Sequence, residues 1–506
     1  MRLVRFALTM LALLLPAVAQ AEWRRAESPN FVVYGEGPEA RLRERILLLE
    51  DFDRLLRTVT TFDAPPTGAK LHVYLVDNQR ALTQIRDLGR DVAGFYGASA
   101  EGIGAFVSVD RGSGSLNEIL FHEYAHHFMH QHARAAYPSW YIEGFAEYFA
   151  TVRFTRDAID IGNFSPNQAA WLTSHEWMPL DRILGGTPSG LTDEGTAMFY
   201  AQSWLLTHYF YSNPERQATL SRYFGAMRRS DPVAAIQEAT GMNADRMGRE
   251  LRNYIRGGSI AFRRMRRGSV EAPPPVTVTV LPRAADDVIL YHAALRVGIR
   301  DSVAPRQLQA IRTAAARHSS DPFARRVLAH AELLHGDRAT AARLLDGLIT
   351  ELPNDGELMY LRGRLHLDAA KAAADPAAEI RLARQWFVRA HRADPNHFQT
   401  LYRYFEAVRD GPDGRTDNTA NLILLAHQLA PQVNDVRFAA AALMLDRGDT
   451  AQVIALLAPI SFDPHNPQAA AAARQLIAAA RQNAANGPPR AAAAEAETAA
   501  DDRSED

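Results

Sequence analysis

The chain has 506 residues, 47% of them hydrophobic and 23% charged, which is enough apolar content for packed cores and more length than one domain needs. Its 56 Lys and Arg stand against 58 Asp and Glu, a formal net charge of -2, so no overall positive field favours a nucleic-acid backbone. Cysteine is absent, which excludes disulfides, thiol nucleophiles and Cys-ligated metals; any metal must sit on histidine and carboxylate.

At the start of the chain, Arg2 and Arg5 precede an apolar stretch over 6–18 and the small-x-small tripeptide Ala19-Gln20-Ala21. This pattern predicts a signal peptide over 1–21, cut before Glu22, and hence a periplasmic or secreted bacterial protein; an uncleaved anchor is the alternative. Next come a β-branched and aromatic run over 30–35, an amphipathic stretch over 39–60, a strand-like run over 70–77, a helix over 79–88 and a strand over 102–110. From 115 to about 257 the pattern is almost wholly helical. Residues 22–262 therefore read as an α+β domain, a sheet layer with a helical lobe.

The segment 263–285 combines an arginine cluster with Pro273-Pro274-Pro275 and reads as a linker, so the first domain is expected to fold without the residues beyond 285. Past this segment, Pro322, Pro353, Pro395, Pro431 and Pro464 are separated by 31, 42, 36 and 33 residues, an interval that predicts helix-pair repeats over 286–484. The unit from Asp321 to Pro353, with Gly336-Asp337 between its helices and Ala341 in the second, resembles a tetratricopeptide repeat. That resemblance implies an all-α solenoid that binds a peptide or protein partner. The tail over 485–506 is compositionally disordered.

The chemistry concentrates at His122-Glu123-Tyr124-Ala125-His126. Residues four apart stack on one helix face, so both imidazoles can share a cation, while Glu123, rotated about 100°, falls beside it where a base for water is needed. Seventeen positions after His126 stands Glu143, in Trp140-Tyr141-Ile142-Glu143-Gly144-Phe145-Ala146-Glu147-Tyr148. A helix starting at Ser139 puts Glu143 and Glu147 on one face. One carboxylate can close a coordination sphere, and the other can accept from the free nitrogen of a ligating histidine.

With these two segments the sequence resembles the gluzincin zinc metallopeptidases of the peptidase MA-like group, over about 22–257. The resemblance implies a thermolysin-like catalytic domain and one Zn2+ per chain on His122, His126 and Glu143, with Glu123 as general base and Glu147 behind the ligands. It also marks Tyr200, in Phe199-Tyr200-Ala201-Gln202-Ser203-Trp204 at a helix start, as an oxyanion donor; the alternative is an ordinary core-edge tyrosine, which would leave the oxyanion to zinc alone or to another donor such as His208. His132 falls where metzincins place a third histidine, but Met129 occupies the position that needs glycine, so a continuing helix carries His132 about 240° away. His127 and His130 read as exposed polar residues. The strand over 102–110, if at a sheet edge, could pair with an extended substrate. It lacks the glutamate that aminopeptidases of this clan use for the substrate amine, which favours an endopeptidase. The expected function is thus an exported zinc peptidase acting on peptides or proteins. The alternative is a zinc-binding or catalytically silent repeat scaffold in envelope protein assembly.

Overall fold

Successive side chains of a strand point to opposite faces, and Phe31, Val32, Val33 and Tyr34 are all buried, so this strand must be covered on both sides. The structure, a computed structural model, describes residues 22–62, 69–88, 92–110, 116–132, 135–258, 260–267 and 273–485. The expected signal peptide and the tail from 486 onward lie outside the described residues. Five early strands, β1 (Trp23–Glu27), β2 (Phe31–Glu36), β3 (Leu71–Val76), β4 (Gly94–Ser99) and β5 (Gly102–Ser108), build most of one mixed sheet. The short strands β6 (Arg153–Phe154), β7 (Ala158–Ile161) and β8 (Arg263–Arg266) form a second sheet, and β9 (Thr277–Val280) returns to the first. Strand order in the main sheet is β4-β5-β3-β2-β1-β9, with β2, β3 and β5 parallel and the others antiparallel to their neighbours.

One face of this sheet, carrying Phe31, Val33, Leu71 and Val73, shares a core with Leu42, Ile46, Leu49, Phe52 and Leu56 of the helix Glu39–Thr60 and with the helix Leu116–His132. The other face, carrying Val32, Tyr34, Tyr74 and Phe106, packs on Leu82 and Ile85 and on Ala285, Ile289 and Ala293 of the helix Ala285–Val297. The expected division of the chain therefore changes. Residues 263–285 are not a free linker: β8 and β9 pair into the two sheets, and the first repeat helix is itself a layer over the main sheet. The core of the N-terminal part continues into Leu401, Phe405, Ile423, Val436 and Leu457 of the repeats.

From Ala285 onward the chain runs as helix pairs: Ala285–Val297 with Ala304–Ala316, Pro322–His335 with Arg338–Glu351, Gly356–Ala370 with Pro376–Ala393, Phe398–Val408 with Asp417–Leu429, and Asn434–Asp446 with Thr450–Leu457, then Pro467–Ala485. The prolines whose spacing marked the repeats lie in turns or, for Pro322, at a first helical position, where a missing N–H costs nothing. Asp321, Asp337, Asp355, Asp375 and Asp449 cap helices by accepting backbone N–H groups.

The first helix of each pair meets the turn between β4 and β5. Arg296 closes on Gly102, His330 stands 3.9 Å from Glu101, Arg364 and Arg403 bind the Glu101 carboxylate at 2.8 and 2.9 Å, and Asp435 accepts from the Ala100 N–H at 3.2 Å. The inner side of the repeats thus holds a segment of their own chain. Among the described residues no helix is long and apolar enough to cross a membrane.

Candidate metal centre

The helix Leu116–His132 is fixed by what it buries. Leu120, Phe121, Tyr124 and Phe128 face the core, and the Tyr124 hydroxyl donates to Asp53 at 2.6 Å, which locks the rotation of the helix about its axis. His122 and His126 then emerge together on the opposite side, their Nε2 atoms 3.0 Å apart. The helix Ser139–Ala150 starts where the sequence predicts and crosses the helix Asp193–Tyr211 at Gly144. A Cβ there would stand 2.2 Å from Thr207 Oγ1 and 2.3 Å from the Ser203 carbonyl oxygen, so only glycine permits this approach. That crossing puts Glu143 Oε2 3.4 Å from His126 Nε2 and 4.0 Å from His122 Nε2. Ligand atoms of His122, His126 and Glu143 lie within 4.8 Å of one another.

These residues fit a metal. Glu143 is 0% exposed; His465 Nε2 approaches its Oε1 at 3.0 Å, while Oε2, turned toward the two imidazoles, has no hydrogen bond of good geometry. Leaving a buried carboxylate this way is costly unless a cation completes it. Burial pushes the pKa of His126 down to about 4 and lowers that of His122, keeping both rings neutral, the form that ligates. Burial alone would raise the Glu143 pKa, but His465 and His126 overturn it and hold the carboxyl well below its ordinary range. One carboxylate and two neutral imidazoles are a donor set suited to zinc.

Glu147 sits behind the pair: its Oε1 is 3.4 Å from His122 Nδ1, and its Oε2 accepts from Gln168 Nε2 at 2.7 Å. Glu123 points into the same cleft beside β4, hydrogen-bonded to the Tyr96 backbone. Burial raises its pKa to about 7, with Glu143 and Glu147 adding and His465 and Tyr96 opposing. A carboxylate poised there is suited to take and return a proton near neutral pH. Tyr200 lines the cleft with its ring 6.5 Å from the His122 ring, and burial together with Glu143, Glu147 and Glu123 raises its pKa, so it keeps its proton as a donor.

The cleft, ≈ 790 Å³, runs from β4 to the turn before the last helix. Several expectations need correction. The strand over 102–110 is not the edge: β5 lies inside, and β4 is the outer strand that borders the cleft. Tyr200 is not at a helix start, because its helix begins at Asp193 under a Thr192 cap, about two turns earlier. His127 is not exposed; it is buried between the Tyr96 hydroxyl at 3.2 Å and Gln432 at 3.4 Å. His130 lines the cleft rather than the outer surface. His208 is turned away, with Nδ1 2.8 Å from the Tyr254 hydroxyl and Nε2 3.1 Å from the Gly162 carbonyl. His132 faces Phe62, Phe128 and Arg57, away from His122, His126 and Glu143, as helix continuation through Met129 requires.

A further residue of the site, His465, is not marked by any sequence motif. It lies in the turn after Pro464, its ring 4.8 Å from that of His126 and its Nε2 3.0 Å from Glu143 Oε1. A single histidine in an Asp-Pro-His-Asn-Pro turn carries no signal of its own, since nothing local ties it to a helix crossing more than three hundred residues upstream.

No protein-family model matches the chain, and no curated protein matches it. Among solved structures, a thermophilic TPR protein of Thermus thermophilus is similar over 38% of this chain and 92% of its own, at 18% identity and a TM-score of 0.29.

Proposed function

We propose that the protein is a zinc-dependent peptidase of the gluzincin type, exported to the bacterial envelope, that cuts within extended segments of peptides or proteins. The observation that carries this reading is the convergence of His122, His126 and Glu143 with Glu123 beside them and Glu147 at the far nitrogen of His122. A zinc ion held by the three ligands would supply Lewis acidity to the scissile carbonyl and to the attacking water.

The chain's own groups do the rest. Glu147 accepts from His122 Nδ1–H and so directs the Nε2 lone pair toward the ligand cluster. Glu123 takes a proton from water as its oxygen attacks the carbonyl carbon. It then delivers that proton to the amine nitrogen as the C–N bond breaks. Tyr200 donates to the oxygen that gains charge in the transition state. The outer strand β4 borders the cleft as a sheet edge, so an extended peptide can lie against it as an added strand.

The test is hydrolysis of an unstructured protein substrate by the full-length chain, with zinc removed by a chelator and then restored. Activity that disappears and returns with zinc supports the reading. A zinc-loaded protein that cuts no such substrate contradicts it.

A further inference from the structure

The turn between the helices Thr450–Leu457 and Pro467–Ala485 belongs to the repeats, yet two hydrogen bonds fasten it to the N-terminal part just before His465. Ser139 Oγ, at the start of the helix that carries Glu143, donates to the Phe462 carbonyl at 2.8 Å, and Thr187 Oγ1 donates to the Pro464 carbonyl at 3.3 Å. Within the turn, Asp463 Oδ1 accepts from the N–H groups of His465 and Asn466 at 2.9 and 3.2 Å, which fixes the backbone that presents the imidazole. So held, His465 Nε2 stands 3.0 Å from Glu143 Oε1, while Glu143 Oε2 is the oxygen turned toward His122 and His126. The two oxygens of one buried carboxylate are thus divided between two parts of the chain.

We infer that His465 is a positioning residue for Glu143: it engages Oε1 so that Oε2 alone is presented to the metal, and the repeats thereby complete the metal site. This inference rests on the reading of His122, His126 and Glu143 as ligands. A carboxylate free to rotate can present either oxygen or both, and ordering it in advance raises affinity for the ion. The role is distinct from that of Glu147, which acts on a histidine ligand from within the same helical lobe. It also gives the long repeat region a direct part in the chemistry of the N-terminal region, separate from any partner.

The experiment measures zinc affinity of the full-length protein, stripped by chelator, by competition with a chromophoric chelator, alongside the melting temperature of each metal-free form. His465→Ala is well tolerated sterically because the side chain is 48% exposed within the cleft. Wild type should bind one zinc, Glu143→Ala should bind none stoichiometrically, and His465→Ala should bind one with affinity lowered about 10- to 100-fold, its metal-free melting unchanged. His465→Gln, whose amide N–H can replace the imidazole donor, should recover most of the lost affinity. If His465→Ala binds zinc as tightly as wild type, or if His465→Gln is no better than alanine, the positioning role is overturned while the metal site stands. If wild type itself binds no zinc, the parent reading falls and this inference with it.

Discussion

Glu101 and Arg364, 263 residues apart in sequence, meet at 2.8 Å where the turn between β4 and β5 enters the inner side of the repeats, and Arg403 joins them at 2.9 Å. This buried cluster ties the outer strand of the cleft to the helix pairs of the C-terminal part. Removing the carboxylate takes a shared partner from both guanidinium groups, although Arg364 keeps Asp368 at 3.1 Å and Arg403 keeps Glu406 at 2.6 Å, so Glu101→Ala should cost about 1.5–3 kcal/mol in an equilibrium unfolding experiment. Arg364→Ala alone should cost less, because Glu101 keeps Arg403.

The same cluster sets a pH dependence. Burial alone would raise the Glu101 pKa, but His330, Arg364 and Arg403 overturn it and hold it below the ordinary value of 4.5. A carboxyl lowered on folding contributes its full stability above about 4.5 and loses it as the pH falls toward the folded value. Melting temperature should therefore decline below about pH 4.5, and Glu101→Gln, already destabilised, should decline less steeply over that window.

Gly144→Ala tests the helix crossing that brings Glu143 to the histidines. The added methyl group cannot fit against Thr207 and the Ser203 carbonyl, so the helices must separate. Overpacking of this kind typically costs about 1–3 kcal/mol. A lower melting temperature with weakened zinc binding is expected; an unchanged pair of values would mean that the crossing is looser than described.

Truncation after residue 285 should not yield a folded N-terminal domain, contrary to what the Pro-rich segment suggests on sequence alone. The cut would uncover Tyr34, Tyr74 and Phe106, which pack on Ile289 and Ala293, and would remove Arg364 and Arg403 from Glu101. The expected outcome is an insoluble product or one without a cooperative melting transition.

The residues at i, i+4 spacing are legible from sequence because helix geometry alone decides their direction: His122 with His126, and Glu143 with Glu147, need only a helix to form. The repeats are legible for a similar reason, since Pro and Asp-Pro mark helix ends locally. What sequence does not carry is pairing at a distance. The run Thr277-Val278-Thr279-Val280 reads as strand-like, but its partner β1 lies at the other end of the N-terminal part, so it passes for linker. The edge of the sheet is misread because the Gly-rich stretch over 94–99 gives a weak strand signal, although it forms the outer strand. His127 looks polar and exposed because its partners, Tyr96 and Gln432, belong to remote segments.

Tyr200→Phe separates a donor to the oxyanion from a packing tyrosine. The ring stays in place, so zinc content and melting temperature should match wild type, while turnover should fall on the order of a hundred-fold with little change in substrate binding. Turnover within a few-fold of wild type would remove Tyr200 from the reaction.

The most direct measurement of the central claim compares hydrolysis of one unstructured protein substrate by wild type and by Glu123→Gln, each shown by elemental analysis to carry one zinc. An amide cannot take a proton from water, yet Glu123 is not among the three converging residues proposed as ligands. Rapid cleavage by wild type and none above background by Glu123→Gln, at equal zinc content, is the predicted result. Equal cleavage by both proteins, or loss of zinc together with activity in Glu123→Gln, would contradict it.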